Sequence, residues 1–221
     1  MGGTFLVSTL STEAIISRMN EKNMDNALII RPLLDPESQA KSGQAAVDVR
    51  LGFEFCLVMP SAFGSLDEFD SISRETFSTL YRREYVPFGD NIIIHPHQFV
   101  LAQTLEYVRL PADLMGYVVG RSTWGRLGLI VATAIGIHPG FAGNITLELR
   151  NLGETPLTLY PGQTVAQLFF HTVIDENGEL NKKKTQDAQY AGTTDMIPRR
   201  LSSPNTGKTL EKLIETFNKK P

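Results

Sequence analysis

The sequence predicts an all-β fold, either a sandwich or a barrel, with a short helix near each end. Short apolar segments recur at a spacing of roughly 8–12 residues, and glycines and prolines separate them. Hydrophobic residues make up 42% of the 221-residue chain, which is enough to bury a core. This length favours one domain and leaves two as an alternative.

The first elements are a helix and a short strand. Ser11 and Thr12 are good N-cap residues, so we expect a helix over 8–22. An apolar strand over 27–30 follows and ends before Pro32, which cannot donate to a sheet.

A loop over 33–45 leads into a strand over 46–55. Asp48 and Arg50 fall on the opposite face from the apolar residues, which predicts a half-buried strand. The apolar face carries Val47, Val49, Leu51, Phe53 and Phe55.

Residues 60–90 are polar and mixed, so we interpret them as a surface excursion with a short helix near 75–81. The strands then resume, with proline and glycine turns between them. We expect strands at 92–94, 99–105, 114–119, 157–160 and 164–170.

The stretch 120–149 places candidate anion donors close to a candidate general base. A turn of small residues comes first, then an apolar run over 130–137, then a second turn at 139–143. In the strand that follows, Thr146 and Glu148 point to the opposite face from the apolar residues. The first turn carries Arg121, Ser122, Thr123 and Arg126, and the apolar face carries Ile145, Leu147 and Leu149.

The C-terminal part differs in composition. Residues 174–205 have few apolar side chains and read as a tail that orders against a partner or ligand. Residues 208–219 place Leu210, Leu213, Ile214 and Phe217 on one helical face, which predicts an amphipathic helix that docks on its own oligomer. We therefore divide the chain into a β domain over 1–173 and a tail with a helix over 174–221.

Composition excludes several functions. The net charge of −3 argues against non-specific nucleic-acid binding, and no apolar run reaches the ~18 residues of a membrane span. The single cysteine, Cys56, suits the reducing cytoplasm. It also excludes the His/Cys/Cys zinc site of the zinc-dependent nucleobase deaminases, so deamination here would proceed without zinc.

Several blocks, in order, resemble the dCTP deaminase family of the dUTPase-like superfamily. They are Ala46-Val47-Asp48-Val49-Arg50-Leu51-Gly52, Thr104-Leu105-Glu106, Leu110-Pro111-Ala112-Asp113-Leu114, Gly120-Arg121-Ser122-Thr123, Arg126-Leu127-Gly128-Leu129, Pro139-Gly140-Phe141, Thr146-Leu147-Glu148-Leu149, and Pro161-Gly162 with Gln167-Leu168. The resemblance implies a distorted jelly-roll-like β-barrel of the dUTPase-like type. It also implies a homotrimer whose active sites lie between subunits.

The resemblance further implies a substrate and a reaction. The substrate would be a deoxyribonucleoside triphosphate bound with magnesium, with dCTP first and dUTP and dTTP as further candidates. Deaminases of the family convert dCTP to dUTP and ammonia, which supplies the dUMP and dTTP pathway. Related diphosphatases cleave dUTP to dUMP and pyrophosphate, and some members do both.

By resemblance, Glu148 is the general base, Ser122 orients the attacking water, and Arg126 stabilises charge. Asp48 would lie near the metal, acting through water or phosphate. The predicted substrate-binding residues are Arg121, Thr123, Thr133, Ala134, His138, Gln167, Gln189 and Tyr190. The alternatives are an outward strand carboxylate for Glu148 or Asp48, and a surface ion pair for either arginine.

The sequence departs from the family pattern at the second turn. His138 stands where the family has an aspartate, and in the diphosphatases that aspartate activates water at the α-phosphorus, so cleavage of dUTP by the usual route is disfavoured. The run over 131–136 is one residue shorter than the deaminase pattern, which favours an altered base preference. Two alternatives therefore stay open: a dUTP diphosphatase, alone or bifunctional, and a non-catalytic nucleotide-binding member.

Overall fold

The structure, a computed structural model, describes residues 8–60, 78–132, 136–182 and Met196. It contains a nine-stranded antiparallel sheet and a separate two-stranded ribbon, so the prediction of an all-β fold is confirmed. The strands are β1 Ile29–Arg31, β2 Val47–Val58, β3 Tyr81–Tyr85, β4 Ile92–Ile94, β5 Phe99–Arg109, β6 Leu114–Gly120, β7 Leu129–Val131, β8 Gly136–Ile137, β9 Ala142–Asn151, β10 Leu157–Leu159 and β11 Thr164–Thr172. The described helices are α1 Thr12–Met19, α2 Pro36–Gln39 and α3 Ser122–Arg126.

The large sheet curls into a barrel. Seven of its strands follow the order β7-β9-β5-β2-β11-β6-β8, so β7 and β8 stand at opposite ends. The other two lie off this path, where β1 pairs with β5 and β3 pairs with β2. In a flat sheet six strand spacings would separate these ends by about 29 Å. The chain passes from Val131 to Gly136 in five residue steps, which span at most about 18 Å. The two ends therefore have to approach each other, and curling of the sheet achieves this.

The barrel interior is the main hydrophobic core. Ile145, Leu147 and Leu149 of β9 are all buried there, together with Phe55 and Phe170. The predicted alternation along β9 is thus confirmed. A second, smaller cluster covers the outer face of the sheet and contains Cys56, Leu80, Leu101 and Met196.

The second cluster corrects the prediction of a half-buried strand. β2 runs on to Val58, three residues past the predicted end, and Cys56 on its outer face is fully buried. Asp48 is buried as well, at 8% exposed. The outer face of β2 is covered as well, because Leu80 and Met196 pack with Cys56 from elsewhere in the chain, which the local alternation cannot reveal.

The helices also differ from the predictions. α1 is shorter than 8–22: Ser11 caps it by accepting from the Ala14 N–H at 3.3 Å, and it ends before Asn20. The expected loop over 33–45 contains α2, whose first turn is capped by the Asp35 carboxylate. The expected turn at Ser122 is the helix α3.

The excursion predicted over 60–90 contains β3, which pairs with β2, so Tyr81 opens a strand rather than closing a helix. Ser78 is helical, in agreement with the helix predicted near 75–81, and the rest of that helix lies outside the described residues. The tail predicted over 174–205 is described only over 174–182 and at Met196, and the helix over 208–219 is not described. The described part of the tail is ordered by a bridge between Ile174 and Leu180. No helix in the described part of the chain has both the length and the hydropathy that a bilayer crossing requires.

Candidate active site

Asp48, Arg121 and Gln167 form one polar cluster. Gln167 lies directly opposite Asp48 in the pairing of β11 with β2, and its Nε2 donates to Asp48 Oδ1 at 2.8 Å. Arg121 follows β6, is fixed by its backbone N–H donating to the Val165 carbonyl at 2.9 Å, and forms an ion pair with Asp48 through Nη1. The carboxylate is 11% exposed, so the attraction between the two charges is screened less by solvent than in a surface pair. The arrangement orients a guanidinium that has five N–H donors, with one used for Asp48.

The helix α3 continues from Arg121 and presents its polar side chains outward. Ser122, Thr123 and Arg126 are exposed. Trp124 holds the helix to the barrel, because its Nε1 donates to the Thr164 carbonyl at 2.9 Å and its ring packs against the main core. Cationic and hydroxyl groups therefore lie on a fixed surface that an anionic ligand can reach.

Glu148 lies on the outer face of β9, away from the barrel core. It sits opposite Leu101 in the pairing with β5 and is half-buried. Burial raises the pKa of the Glu148 carboxyl above its ordinary value. A carboxylate with a raised pKa is a stronger base when ionised, which suits proton transfer near neutral pH.

The neighbouring pair on this face is polar. Gln103 lies opposite Thr146, one step along the same face from Glu148. The Oε1 of Gln103 is buried and accepts no hydrogen bond from the residues described. The surface beside Glu148 thus contains a further hydrogen-bonding group.

Within one chain, Glu148 is distant from the other candidate groups. α3 ends three residues before Leu129, and Leu129 pairs with Asn151 of β9. Glu148 lies three residues from Asn151 along β9, so about 10 Å separates these two residues. Among the described residues, neither Ser122 nor Arg126 hydrogen-bonds or ion-pairs with Glu148.

The cluster around Asp48 is further away. β2 pairs with β5 at Leu51 and Thr104, and Asp48 lies three residues beyond that point. Glu148 pairs at Leu101, three residues in the other direction, so the two carboxylates are about 20 Å apart along the strands. The structure therefore brings Asp48, Arg121 and Gln167 together but leaves Glu148 apart from them.

The remaining predicted residues are distributed as follows. His138 is exposed in the second turn, where its carbonyl accepts from the Phe141 N–H at 3.1 Å. Ala132, the last described residue before 133, donates its N–H to the backbone carbonyl of Glu148 at 2.7 Å. Thr133, Ala134, Gln189 and Tyr190 lie outside the described residues.

One polar residue was not identified as a site candidate from the sequence. Glu106 is fully buried on the core face of β5, where it accepts from the Arg50 N–H at 2.9 Å and from Gln39 Nε2 at 2.8 Å. The available signal was the alternation in β5, which puts Glu106 on the same face as Val100 and Val108.

Comparisons with known proteins agree on one family. A family model described as dCTP deaminase-like matches residues 9–173. The dCTP deaminase, dUMP-forming, of Methanosphaera stadtmanae is 39% identical over 177 residues, which cover 79% of this chain and 86% of that protein. The dCTP deaminase of Natronomonas pharaonis is 37% identical over 194 residues, which cover 84% and 90% respectively.

A solved structure is similar in fold. The crystal structure of 2'-deoxycytidine 5'-triphosphate deaminase from Agrobacterium tumefaciens superposes with a TM-score of 0.57 at 19% identity. The match covers 78% of this chain and 49% of that chain, so this chain spans about half its length. At this identity the likeness concerns the barrel architecture alone.

Proposed function

The chain belongs to the dCTP deaminase-like family, and from this premise we propose that it catalyses hydrolytic deamination of dCTP to dUTP and ammonia without zinc. The observation that carries the proposal is Glu148, a half-buried carboxylate with a raised pKa on the strand that carries the family motif. Glu148 is only half-buried on the outer face, so part of its side chain remains accessible to a ligand, whereas a core carboxylate would be inaccessible.

In the proposed reaction Glu148 acts as both base and acid. Its carboxylate takes a proton from a water molecule as the oxygen attacks C4 of the cytosine ring. The same proton is then delivered to the amino group, so the C4–N bond breaks and ammonia leaves. Ser122 orients the water through its hydroxyl, and the Arg126 guanidinium stabilises the charge that develops in the transition state.

The phosphates are held at the other end of the site. Arg121 and Thr123 donate to phosphate oxygens, and Asp48 with Gln167 holds Arg121 in place. We assign the base edge to Thr133, Ala134 and His138 and the closing tail to Gln189 and Tyr190; these roles rest on the resemblance.

Magnesium would enter with the nucleotide. No group of three potential ligands that could hold a metal occurs among the described residues. Both carboxylate oxygens of Asp48 already accept hydrogen bonds, which suits contact with the ion through water and not direct ligation. When bound, the ion would neutralise phosphate charge.

The separation of Glu148 from α3 supports a site shared between subunits, and we infer a homotrimer. The exposed apolar side chains of Leu127, Ile130 and Leu152 lie together at the junction of α3, β7 and β9, where a second copy can cover them. The single buried cysteine, Cys56, supports a reducing, cytoplasmic setting.

Subunit mixing tests the shared site. Glu148→Gln and Arg126→Ala chains, each inactive alone, are co-expressed in equal amounts. If each site takes Glu148 from one subunit and Arg126 from another, about one quarter of the sites are intact and activity returns to that level. Activity that stays at the level of the single variants would place both residues in one chain and contradict the shared site.

A second reaction, conversion onward to dUMP, is favoured by one observation. Several relatives, including the protein of Methanosphaera stadtmanae, are named dUMP-forming. His138 opposes this reaction, because an exposed histidine replaces the aspartate that the resemblance leads us to expect there.

Product analysis separates these reactions. The protein is incubated with magnesium and either dCTP or dUTP, and the products are resolved by chromatography. We expect dUTP and ammonia from dCTP. Appearance of dUMP and pyrophosphate would add the second reaction, and tight binding of either nucleotide without turnover would refute the enzymatic proposal in favour of a nucleotide-binding role.

A further inference from the structure

Glu106 is a buried carboxylate that the mechanism above does not use. It is 0% exposed and lies on the same face of β5 as the core residues Val100 and Val108. Burial raises the pKa of its carboxyl above the ordinary value, so its ionised form opposes folding. Burying an apolar side chain here would cost less free energy of folding. The hydrogen-bond donors that the carboxylate binds explain why a glutamate occupies this position.

Glu106 completes the hydrogen bonding of β2 where β5 has separated from it. The pairing of the two strands ends at Leu51, and the preceding residues of β2 pair with β11 on the other side. The Arg50 N–H donates to Glu106 Oε2 at 2.9 Å. Gln39 Nε2 donates both to Glu106 Oε1 at 2.8 Å and to the Asp48 carbonyl at 3.0 Å. The carboxylate and the amide thus replace the missing ladder bonds over 48–50.

The chemistry of this bridge requires an acceptor at Glu106. Gln39 cannot reverse its amide, because its Oε1 accepts from the Asp35 N–H at 3.1 Å while its Nε2 serves the Asp48 carbonyl. Two donors, the Arg50 N–H and Gln39 Nε2, therefore converge on Glu106, and only an ionised carboxylate accepts from both without presenting a hydrogen of its own.

We propose that Glu106 is a positioning residue for the phosphate end of the site. With Gln39 it fixes the backbone of β2 over 48–50, so that Asp48 meets Gln167 and orients Arg121. The proposal rests on the proposed function, because it assigns Arg121 to the phosphates of the substrate.

Glu106→Gln tests the proposal with little change in size. Glutamine places an NH₂ group against one of the two donors, which loosens the 48–50 segment. We expect the KM for dCTP with magnesium to rise about tenfold or more while kcat stays within about threefold. The control is Asp113→Asn, which breaks the part-buried pair of Arg18 Nη2 with Asp113 Oδ1, 2.7 Å apart, away from β2. It should lower stability and leave KM unchanged.

The pH dependence distinguishes positioning from general stabilisation. The groups that interact with the Glu106 carboxyl are neutral Gln39 from α2 and the backbone and charged side chain of Arg50 from β2. Protonation of wild-type Glu106 places a hydrogen on the carboxyl group. This hydrogen opposes one of the two donors, as the NH₂ group of glutamine does in the variant. The ratio of the variant's KM to that of the wild type should therefore fall toward one as the pH is lowered. Protonation of the substrate affects both KM values equally, so it does not change this ratio.

Each outcome is decisive. A KM equal to that of the wild type would overturn the proposal, whether or not kcat falls. A ratio of the two KM values that does not change with pH would overturn it as well. If Glu106→Gln does not fold, Gln39→Leu removes the bridge to Asp48 and keeps the Arg50 bond, and an unchanged KM would overturn it. If wild-type protein releases no ammonia from dCTP, the proposed function fails, and calorimetric binding of dCTP with magnesium to both proteins still tests Glu106.

Discussion

Replacing Glu148 by glutamine tests the chemical step directly. The change removes the ionisable oxygen but keeps the size of a side chain whose neighbours on the sheet are Leu101 and Thr146. The backbone bonds of β9 do not depend on the side chain, so we expect the fold and the bound position of the nucleotide to persist. A positioned proton-transfer group contributes about 10²–10⁴-fold, or about 3–5 kcal/mol of transition-state stabilisation.

The assay is ammonia release from dCTP with magnesium, combined with calorimetric nucleotide binding. We expect kcat of Glu148→Gln to fall by about 10³-fold, with the dissociation constant within about threefold. The matched control is Glu179→Gln, the same chemical change at a side chain that is 66% exposed, and it should keep full activity. Retention of more than about a tenth of the wild-type rate, or loss of binding in parallel with rate, would refute the assignment.

Acidity and stability provide a second test of Glu148. Its pKa is raised by burial, so the wild-type kcat should fall as the pH drops through that raised pKa, about tenfold per pH unit below it. A raised folded-state pKa also means that the ionised carboxylate costs stability above that pH. Glu148→Gln should therefore melt at the same or a higher temperature at neutral pH. A clear decrease in Tm would show that Glu148 has a structural role.

Two further predictions concern binding and backbone geometry. Asp48→Asn should raise the KM for dCTP by about tenfold or more and lower the free energy of unfolding by about 1–3 kcal/mol, because Arg121 loses its charged acceptor; unchanged kinetics would separate this pair from the site. Gly128→Ala should destabilise by more than about 1 kcal/mol in thermal or urea unfolding, since φ is +93° and a Cβ would lie 2.6 Å from the Gly153 nitrogen. Gly125→Ala in the adjacent helix has nothing within 4 Å and should be neutral or stabilising, and equal effects at the two positions would contradict this explanation.

The local pattern was informative where one face of a strand meets the core. The alternation along β9 correctly separated Leu147 and Leu149 from Glu148, because period-two geometry depends only on neighbouring residues. It was misleading for β2, where the outer face is also covered. Met196, far along the chain, packs on that face beside Cys56, and no local signal contains this contact.

The candidate site likewise combines residues that the sequence identified with contacts that only the fold creates. Asp48, Arg121 and Gln167 were identified separately as candidates, and the structure joins them into one cluster. The sequence did not indicate that Glu106 supports this cluster, because a glutamate in a strand is usually solvated and its burial follows from the separation of β5 from β2.

By itself, the sequence determined the all-β class, the alternation that puts Glu148 on the non-core face, and the ordered motifs that name the family. These features depend on residues that are close together in the chain. The tertiary structure alone decided that Asp48 meets Arg121 and Gln167, which are 73 and 119 residues away, and that Glu148 lies apart from α3. Burial, charge pairing and pKa depend on which distant segments pack around a group, and only the tertiary fold specifies those neighbours.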